Sequence, residues 1–397
     1  MVIAFDTYFL APRFRNVGIY EYAKSLFNEF KRMAAHDRST DIRYFVSPRH
    51  SEEMFESESS PGFEAISTQF LGWNRLWGPG LVSYAAIRAG ADLIFSPSPL
   101  IVPVGVVPVA VTIHDAIPIR LSRDIAGNNT RLKMFTRFAA KMSQKILTDS
   151  EHSKKDLVDI YNVPPEKVSV VYLGYDRTTF NSSPADPVAQ PALLQRVGIR
   201  GPYILHHGMV QKRKNLAKLI EAHAILLNRQ HHLQYQLVLA GAFGFGSEEI
   251  RRVADRGVTQ GKVIFTGPLP AEELAQLIKG ASLCVIPSLY EGFCLPMVEA
   301  MACGVPTIAA NSSCIPEISG GMLRYFAPQS EEDMASVIVE VLENGDLQRT
   351  LVTNGLRRAS QFSWRRCAQE TMLALTDFNA WRDLSVSRRS SDGIRVN

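Results

Sequence analysis

Cysteine is missing from the first 283 residues of this 397-residue chain; the five present are Cys284, Cys294, Cys303, Cys314 and Cys367. None stands in a CxxC pair and the number is odd, which argues against a disulfide framework or a zinc site and suits a reducing, cytoplasmic setting. No HExxH or Cys/His cluster occurs either, so no metal and no cofactor is expected. The G-x-x-x-x-G-K-[ST] phosphate loop is absent. GAFGFG (241–246) has glycines after a strand-like run but lacks the G-x-G-x-x-G spacing, so a dinucleotide fingerprint is not supported. Charge of one sign is also lacking: 43 Lys and Arg against 39 Asp and Glu leave +4, with no basic module of the kind nucleic-acid binding requires. One stretch imitates a membrane span, LIFSPSPLIVPVGVVPVAVTI (93–113), but Pro97, Pro99, Pro103 and Pro108 would break a helix repeatedly. Short buried strands joined by turns are expected there instead. The opening MVIAFDTYFL reaches Asp6 too early for a signal peptide.

What is present is a regular alternation. In the second half, YILHHG (203–208), YQLVLAG (235–241), KVIFTG (262–267), SLCVIPS (282–288) and VPTIAA (305–310) read as buried strands. Amphipathic helical patterns separate them at 215–230, 247–257 and 271–281. Apolar runs bounded by Gly and Pro, alternating with such helices, indicate a parallel sheet covered on both faces. The first half is less regular. VIAFD, ADLIFSP, PVAVTIHD, KILTDS and VSVVYLGYD (168–176) read as strands, and GIYEYAKSLFNEFKRMAA (18–35) as an amphipathic helix. SEHSKKDLVDIYN (150–162) reads as a second helix with Ser150 as its N-cap. The length suits two domains: residues 1–180, a Pro- and Ser-rich linker at 181–198, and residues 199–362. A terminal helix at 363–384 crosses back to the first domain, and 385–397 is a disordered tail. The fold class is α/β, with two doubly wound Rossmann-like domains facing across a cleft.

Ligands of doubly wound sheets bind beyond the carboxyl ends of the strands. Three groups of residues fall there. His114 and Asp115 end a strand of the first domain. Lys212, Arg213 and Lys214 precede a helix whose N-terminus already carries partial positive charge, and such a cluster calls for an anion, with phosphate the obvious candidate. The densest group is SLYEGFCLPMVEAMACGVPTIAA (288–310). Glu291 sits on its loop, Gly292 permits a tight turn, Pro296 suits a first helical turn, and Glu299 lies about one turn into the helix. An acid at either end of an anion-binding helix tip fits a ligand with hydroxyl pairs at both ends and phosphate between, the shape of a nucleotide sugar. A solvated basic turn and an ordinary solvated helix face stand as the plain alternatives.

HDAIPI, KRKNL, the run from VIFTGPLPAEEL through YEGFCLPMVEAMACGVPTIAANSSCIPEISGG, and the late FSW resemble the retaining glycosyltransferases of family 4. The likeness extends from the first strand to about residue 380. It implies the GT-B fold of two Rossmann-like domains. It implies that Glu291 hydrogen-bonds the transferred sugar, that Glu299 holds the ribose diol, and that amides of Gly292, Phe293, Cys294 and Leu295 meet the phosphates. Arg213 or Lys214 would neutralise the leaving diphosphate, His114 would lie by the reacting carbon, and Gly18 would approach the phosphates from the opposite domain. The chain departs from the family at two places. NVGIY offers Gly18 alone where paired glycines are usual, and Gly208–Met209 stand where many members have an arginine, so the basic role falls on Lys212, Arg213 or Lys214. WNRLWGPG, DLIFSPSPLIVP and TIHDAIPIRL are similar to bacterial mannosyltransferases of surface-polysaccharide assembly, which implies GDP-mannose as donor.

The resemblance also implies retention at the anomeric carbon without a protein nucleophile. It places no carboxylate beside His114 except Asp115, on the other face of the strand. Catalysis would then rest on positioning and on charge stabilisation of the diphosphate, with cationic side chains in place of a metal. The acceptor would be a glycan or a lipid-linked saccharide. RLKMFTRFAAKMSQK (131–145) sets Lys133, Arg137, Lys141 and Lys145 four apart, a basic stripe that could rest on anionic lipid at the inner face of the cell membrane. A nucleotide-sugar 2-epimerase of the same fold and a non-catalytic nucleotide-sugar-binding protein are the rival classes. The first would change donor without acceptor, and the second would release no nucleoside diphosphate.

Overall fold

The computed structural model describes residues 1–10, 18–36, 41–46, 63–67, 79–99, 107–121, 123–127, 130–229 and 234–377. The expected tail at 385–397, the end of the terminal helix beyond 377, and the LIVP segment at 100–103 lie outside these residues.

Thirteen described strands form two sheets. The first contains β1 (Val2–Phe5), β2 (Asp41–Val46), β3 (Phe63–Ser67), β4 (Leu93–Ser96), β5 (Val109–Thr112), β6 (Lys145–Thr148) and β7 (Val168–Val170). The second contains β8 (Tyr203–His207), β9 (Gln236–Ala240), β10 (Val263–Gly267), β11 (Leu283–Ile286), β12 (Thr307–Ala310) and β13 (Arg324–Phe326). Their orders are β3-β2-β1-β4-β5-β6-β7 and β10-β9-β8-β11-β12-β13, and every pairing is parallel. β4, β5, β6, β8, β11 and β12 are buried along their whole length, as expected of strands covered by helices on both faces. Winding reverses between β1 and β4 in one sheet and between β8 and β11 in the other. A crevice opens at each reversal, beyond the carboxyl ends of the strands.

Three sequence expectations change. The run 168–176 pairs only as Val168–Val170, because the chain then turns toward the second unit. Residues 181–198 are not all irregular: Ala189–Arg196 is a helix that packs its buried Leu193 beside helix Ala271–Lys279. The basic stripe is shorter than its spacing suggests. Helix Thr130–Met142 ends before Lys145, which opens β6 and is 5% exposed, so only Lys133, Arg137 and Lys141 share the helix.

Helix Trp364–Thr376 follows the second unit yet packs on helix Gly18–His36 of the first. One apolar cluster runs from Phe5, Leu26 and Phe30 through Ala368 and Leu375 to Met301 and Leu205. Burial at about 25 cal/mol per Å² of apolar surface drives this docking. The backbone approaches closely where the terminal helix begins: a Cβ on Gly174 would lie 2.1 Å from the Trp364 amide nitrogen.

Candidate active site

Between the two sheets lies a cleft of about 480 Å³, lined from one side by Gly18, Tyr22, His114, Asp115 and Asp149 and from the other by Arg213, Lys214 and residues 291–296. Leu132 and Thr136 of helix Thr130–Met142 line it as well. Each group hangs on a strand end. The turn after β8 carries Arg213 and Lys214, and the loop after β11 carries Glu291. Because β8 and β11 are neighbours at the reversal of winding, residues nearly eighty positions apart meet.

Glu291 is 5% exposed, and both its oxygens are held. Arg213 Nη1 donates to Oε2 at 2.9 Å, and Lys214 Nζ donates to Oε1 at 2.6 Å. Burial pushes the carboxyl pKa up, but the charges of Arg213 and Lys214 outweigh it and hold it down at about 2. Its backbone N–H donates to Ser313 Oγ at 2.9 Å, and Ser313 itself adopts a left-handed φ of 47°. The sequence left open which of three basic residues faces the site. Arg213 and Lys214 do. Lys212 does not line the cleft and instead pairs with Glu249 at 2.6 Å.

After Glu291 the chain turns into helix Leu295–Ala302. Cys294, at the N-cap, takes a left-handed φ of 73°, and Pro296 stands in the first turn. The first amides of a helix have no partner within it, so this tip offers donors and partial positive charge to an anion. Gly292, Phe293, Cys294 and Leu295 line the cleft at that tip. Gly292 also touches the opposite unit: a Cβ there would lie 2.7 Å from the His114 carbonyl oxygen and 3.0 Å from Asp115 Cβ. Glu299 stands farther along the helix and does not line the cleft. Its Oε2 accepts from Nε2 of buried His207 at 3.2 Å, which orients the carboxylate.

Across the cleft, His114 follows β5 and stacks edge-on to Tyr22, with ring centres 4.7 Å apart. Its Nδ1 donates to Asp149 Oδ2 at 2.8 Å, and its Nε2 lies 3.3 Å from the Pro97 carbonyl oxygen. Burial would lower the imidazolium pKa; the Asp149 charge and hydrogen bond, with Asp115 and Pro97 adding, raise it instead. This corrects the expectation that only Asp115 stands near His114. Asp149, at the end of neighbouring β6, is its direct partner, and Asp115 lines the same cavity. The signal available in the sequence was a carboxylate at a strand end just before the N-cap Ser150. Asp115 is pushed upward by burial, against the pull of Arg213.

A second set of contacts, missed by sequence reasoning, clamps the units together beside the cleft. Tyr290, next to Glu291, donates its hydroxyl to Asp156 Oδ2 at 2.5 Å, and Arg120 Nε donates to Oδ1 of the same carboxylate at 2.8 Å. Glu317 accepts from the backbone N–H groups of Glu151 at 2.7 Å and His152 at 2.9 Å, the first turn of helix Glu151–Tyr161.

The chain is similar to known proteins in both halves. Residues 36–179 match the model of a family described as Glycosyltransferase Family 4, and residues 201–344 match that described as Glycosyl transferases group 1. The chain is 32% identical over 231 residues to the O-antigen chain mannosyltransferase B of Escherichia coli, covering 58% of this chain and 59% of that one. It is 28% identical over 261 residues to the serotype-specific mannosyltransferase WbdA of Escherichia coli, covering 64% of this chain and 32% of that one. These matches therefore span less than two thirds of either relative's length. Among solved structures, Alr3699/HepE of Anabaena in complex with UDP-glucose superposes with a TM-score of 0.68 at 20% identity, over 95% of this chain and 100% of that one. That likeness shows the fold, which is GT-B. With one glycosyltransferase family model matching each of its halves, the chain belongs to the group 1 and family 4 glycosyltransferases.

Proposed function

We propose that the chain transfers a hexose from a nucleotide sugar, mannose from GDP-mannose in the first instance, to a glycan or lipid-linked saccharide during polysaccharide assembly. The observation that carries this reading is the Arg213–Glu291–Lys214 cluster at the tip of helix Leu295–Ala302, facing His114 and Asp149 across the cleft. The mannosyltransferase names of the relatives favour the sugar. The helix tip and Arg213 meet the diphosphate, Gly18 faces the phosphates from the other unit, and Glu299, farther along the helix and beyond the cleft lining, takes the ribose diol where the nucleoside extends past it. His114 and Glu291 flank the sugar.

The chemistry follows from charge. As the glycosyl–phosphate bond breaks, negative charge gathers on the diphosphate, and contacts with Arg213, Lys214 and the helix tip strengthen in the transition state. These cations take the place a metal would fill. The acceptor's hydroxyl oxygen bonds to the anomeric carbon on the face that the phosphate leaves and gives its proton to the departing phosphate oxygen, so configuration is retained. Incubating the pure protein with GDP-mannose or UDP-glucose and candidate acceptors tests the reading. Acceptor-dependent release of nucleoside diphosphate, with the α-anomer kept in the product's NMR spectrum, supports it. Hydrolysis alone, or inversion, counts against it.

One observation favours a second reading. Asp115 and Asp149 both line the cleft near His114, as acid–base carboxylates of a nucleotide-sugar 2-epimerase would. Conversion of donor without any acceptor would select that class.

The acceptor reading rests on helix Thr130–Met142. Leu132 and Thr136 face the cleft, while Met134, Phe138 and Met142 are 62%, 40% and 40% exposed at four-residue spacing. Exposed Arg137 and Lys141 flank this apolar line. An apolar ridge edged with cations suits the surface of an anionic bilayer, which would bring a lipid-linked acceptor to the mouth of the site from the cytoplasmic side. Among the described residues no helix is long and apolar enough to cross a membrane. Co-sedimentation with vesicles containing anionic lipid, reduced by Arg137→Glu and Lys141→Glu, tests this part. Binding that ignores both charge reversals removes it.

A further inference from the structure

Glu317 belongs to none of the groups just assigned. It sits on the short helix Ile315–Ser319 of the second unit, outside the cleft lining. Its two carboxylate oxygens nevertheless cross to the first unit and cap a helix there. Oε1 accepts from the Glu151 amide at 2.7 Å and from the Tyr172 hydroxyl at 3.1 Å, and Oε2 accepts from the His152 amide at 2.9 Å. Ser150 supplies a third acceptor at the same helix tip, its Oγ accepting from Ser153 N at 3.1 Å. A carboxylate at a helix N-terminus is favoured by both the unpaired amides and the helix dipole. Charge-assisted hydrogen bonds of this kind are the stronger ones.

What this cap fixes is the chain just ahead of it. Asp149 is two residues before Glu151, and Asp149 orients His114. The carboxylate is fixed in turn on its own side. Arg358 Nε donates to the Ile318 carbonyl at 2.7 Å and Nη2 donates to the Glu317 carbonyl at 3.0 Å, so a guanidinium closes the far end of the short helix. The loop leading into that helix holds Ser313, whose hydroxyl receives the Glu291 amide proton. One short segment, 313–317, thus contacts the cluster on one wall of the cleft and the support of His114 on the other.

We infer that Glu317 is a positioning residue: by capping helix Glu151–Tyr161 across the domain boundary, it sets Asp149 and His114 in register with Glu291 and Arg213. The inference rests on the proposed transfer reaction for its kinetic consequence, though not for its structural one. Glu317 touches no part of the nucleotide site, so donor binding does not depend on it, whereas turnover needs both walls in register.

The test uses the full chain with Glu317→Ala, Glu317→Gln, Asp149→Asn and the double variant. For Glu317→Ala, kcat should fall about tenfold or more, while GDP affinity measured by calorimetry stays within about twofold. The loss should vanish when Asp149→Asn is already present, because the two act through one pair. Glu317→Gln keeps one acceptor oxygen and should fall between wild type and Ala; it decides the matter if the Ala variant does not fold. Losses that add independently, or a parallel loss of GDP affinity, overturn the inference. Should the wild type transfer no sugar, the proposed reaction fails, and the linkage is read from the ring NMR signals of His114, assigned by their loss in His114→Gln. Glu317→Ala should move them toward their positions in Asp149→Asn; signals unmoved from wild type overturn the inference.

Discussion

At the scale of single residues, Glu291 concentrates the electrostatics of the site. It is a buried carboxylate between two cations, so truncation leaves Lys214 without its hydrogen-bonded counter-charge and Arg213 with only the more distant Asp115. Breaking a buried pair from one side costs about 3–5 kcal/mol, and Glu291→Ala should show a loss of that order in denaturant unfolding. Removing a charged hydrogen bond to the sugar is worth about 1.5–3 kcal/mol, so kcat/KM should fall roughly 10–100-fold. The pH dependence has a definite sign. Glu291 is held at about 2, below its usual 4.5. Its contribution is complete above about 4.5 and is lost as pH falls toward 2, amounting to a few kcal/mol. Acid unfolding of Glu291→Gln should therefore lack most of the dependence in that window. His114 has the opposite sense. Its pKa is raised by Asp149 against burial, so its stabilisation is full below 6.5 and disappears as pH rises through the raised value. In Asp149→Asn, burial prevails and the NMR midpoint of His114 should drop; a midpoint that stays raised would remove Asp149 as its cause.

At the scale of elements, the helix Leu295–Ala302 and its loop form the hinge between sequence and site. Most of this was legible. The strands β8 to β12 are bounded by Gly and Pro, and the Glu291–Glu299 spacing with Pro296 announces a loop that becomes a helix tip. The edge strand β3 and its neighbour β2 were not legible: Asp41–Val46 mixes charge with apolar residues, and neither strand has the continuous apolar run of the buried interior. Nor were the long-range partners, whether within the first unit, as for Asp149–His114, or between the units, as for the other two pairs here. Asp149–His114, Asp156–Tyr290 and Glu317–Glu151 join residues 35, 134 and 166 positions apart, and local periodicity carries no trace of such pairs. Gly292 gives this scale its prediction. Gly292→Ala would drive a Cβ against the His114 carbonyl, a backbone atom that cannot turn aside. Activity should fall at least tenfold while the melting temperature changes little, because the cleft opens rather than the core. A fully active alanine variant would contradict the close approach.

At the scale of the whole molecule, two sheets are joined by more than a linker. Helix Trp364–Thr376 docks on helix Gly18–His36 and shares an apolar cluster with both units, while Glu317 and Tyr290 beside the cleft and Gly292 in its lining make the polar and steric contacts between them. The two units should accordingly unfold as one cooperative transition, and Gly174→Ala, which collides with the Trp364 amide, should separate it into two calorimetric steps. The central claim is that a nucleotide sugar lies in this cleft with its diphosphate against Arg213 and the tip of helix Leu295–Ala302. Calorimetric titration with GDP-mannose measures it most directly. The account predicts one site per chain in the wild type and at least tenfold weaker binding in Arg213→Ala; no binding to the folded wild type, or binding untouched by that substitution, would contradict it.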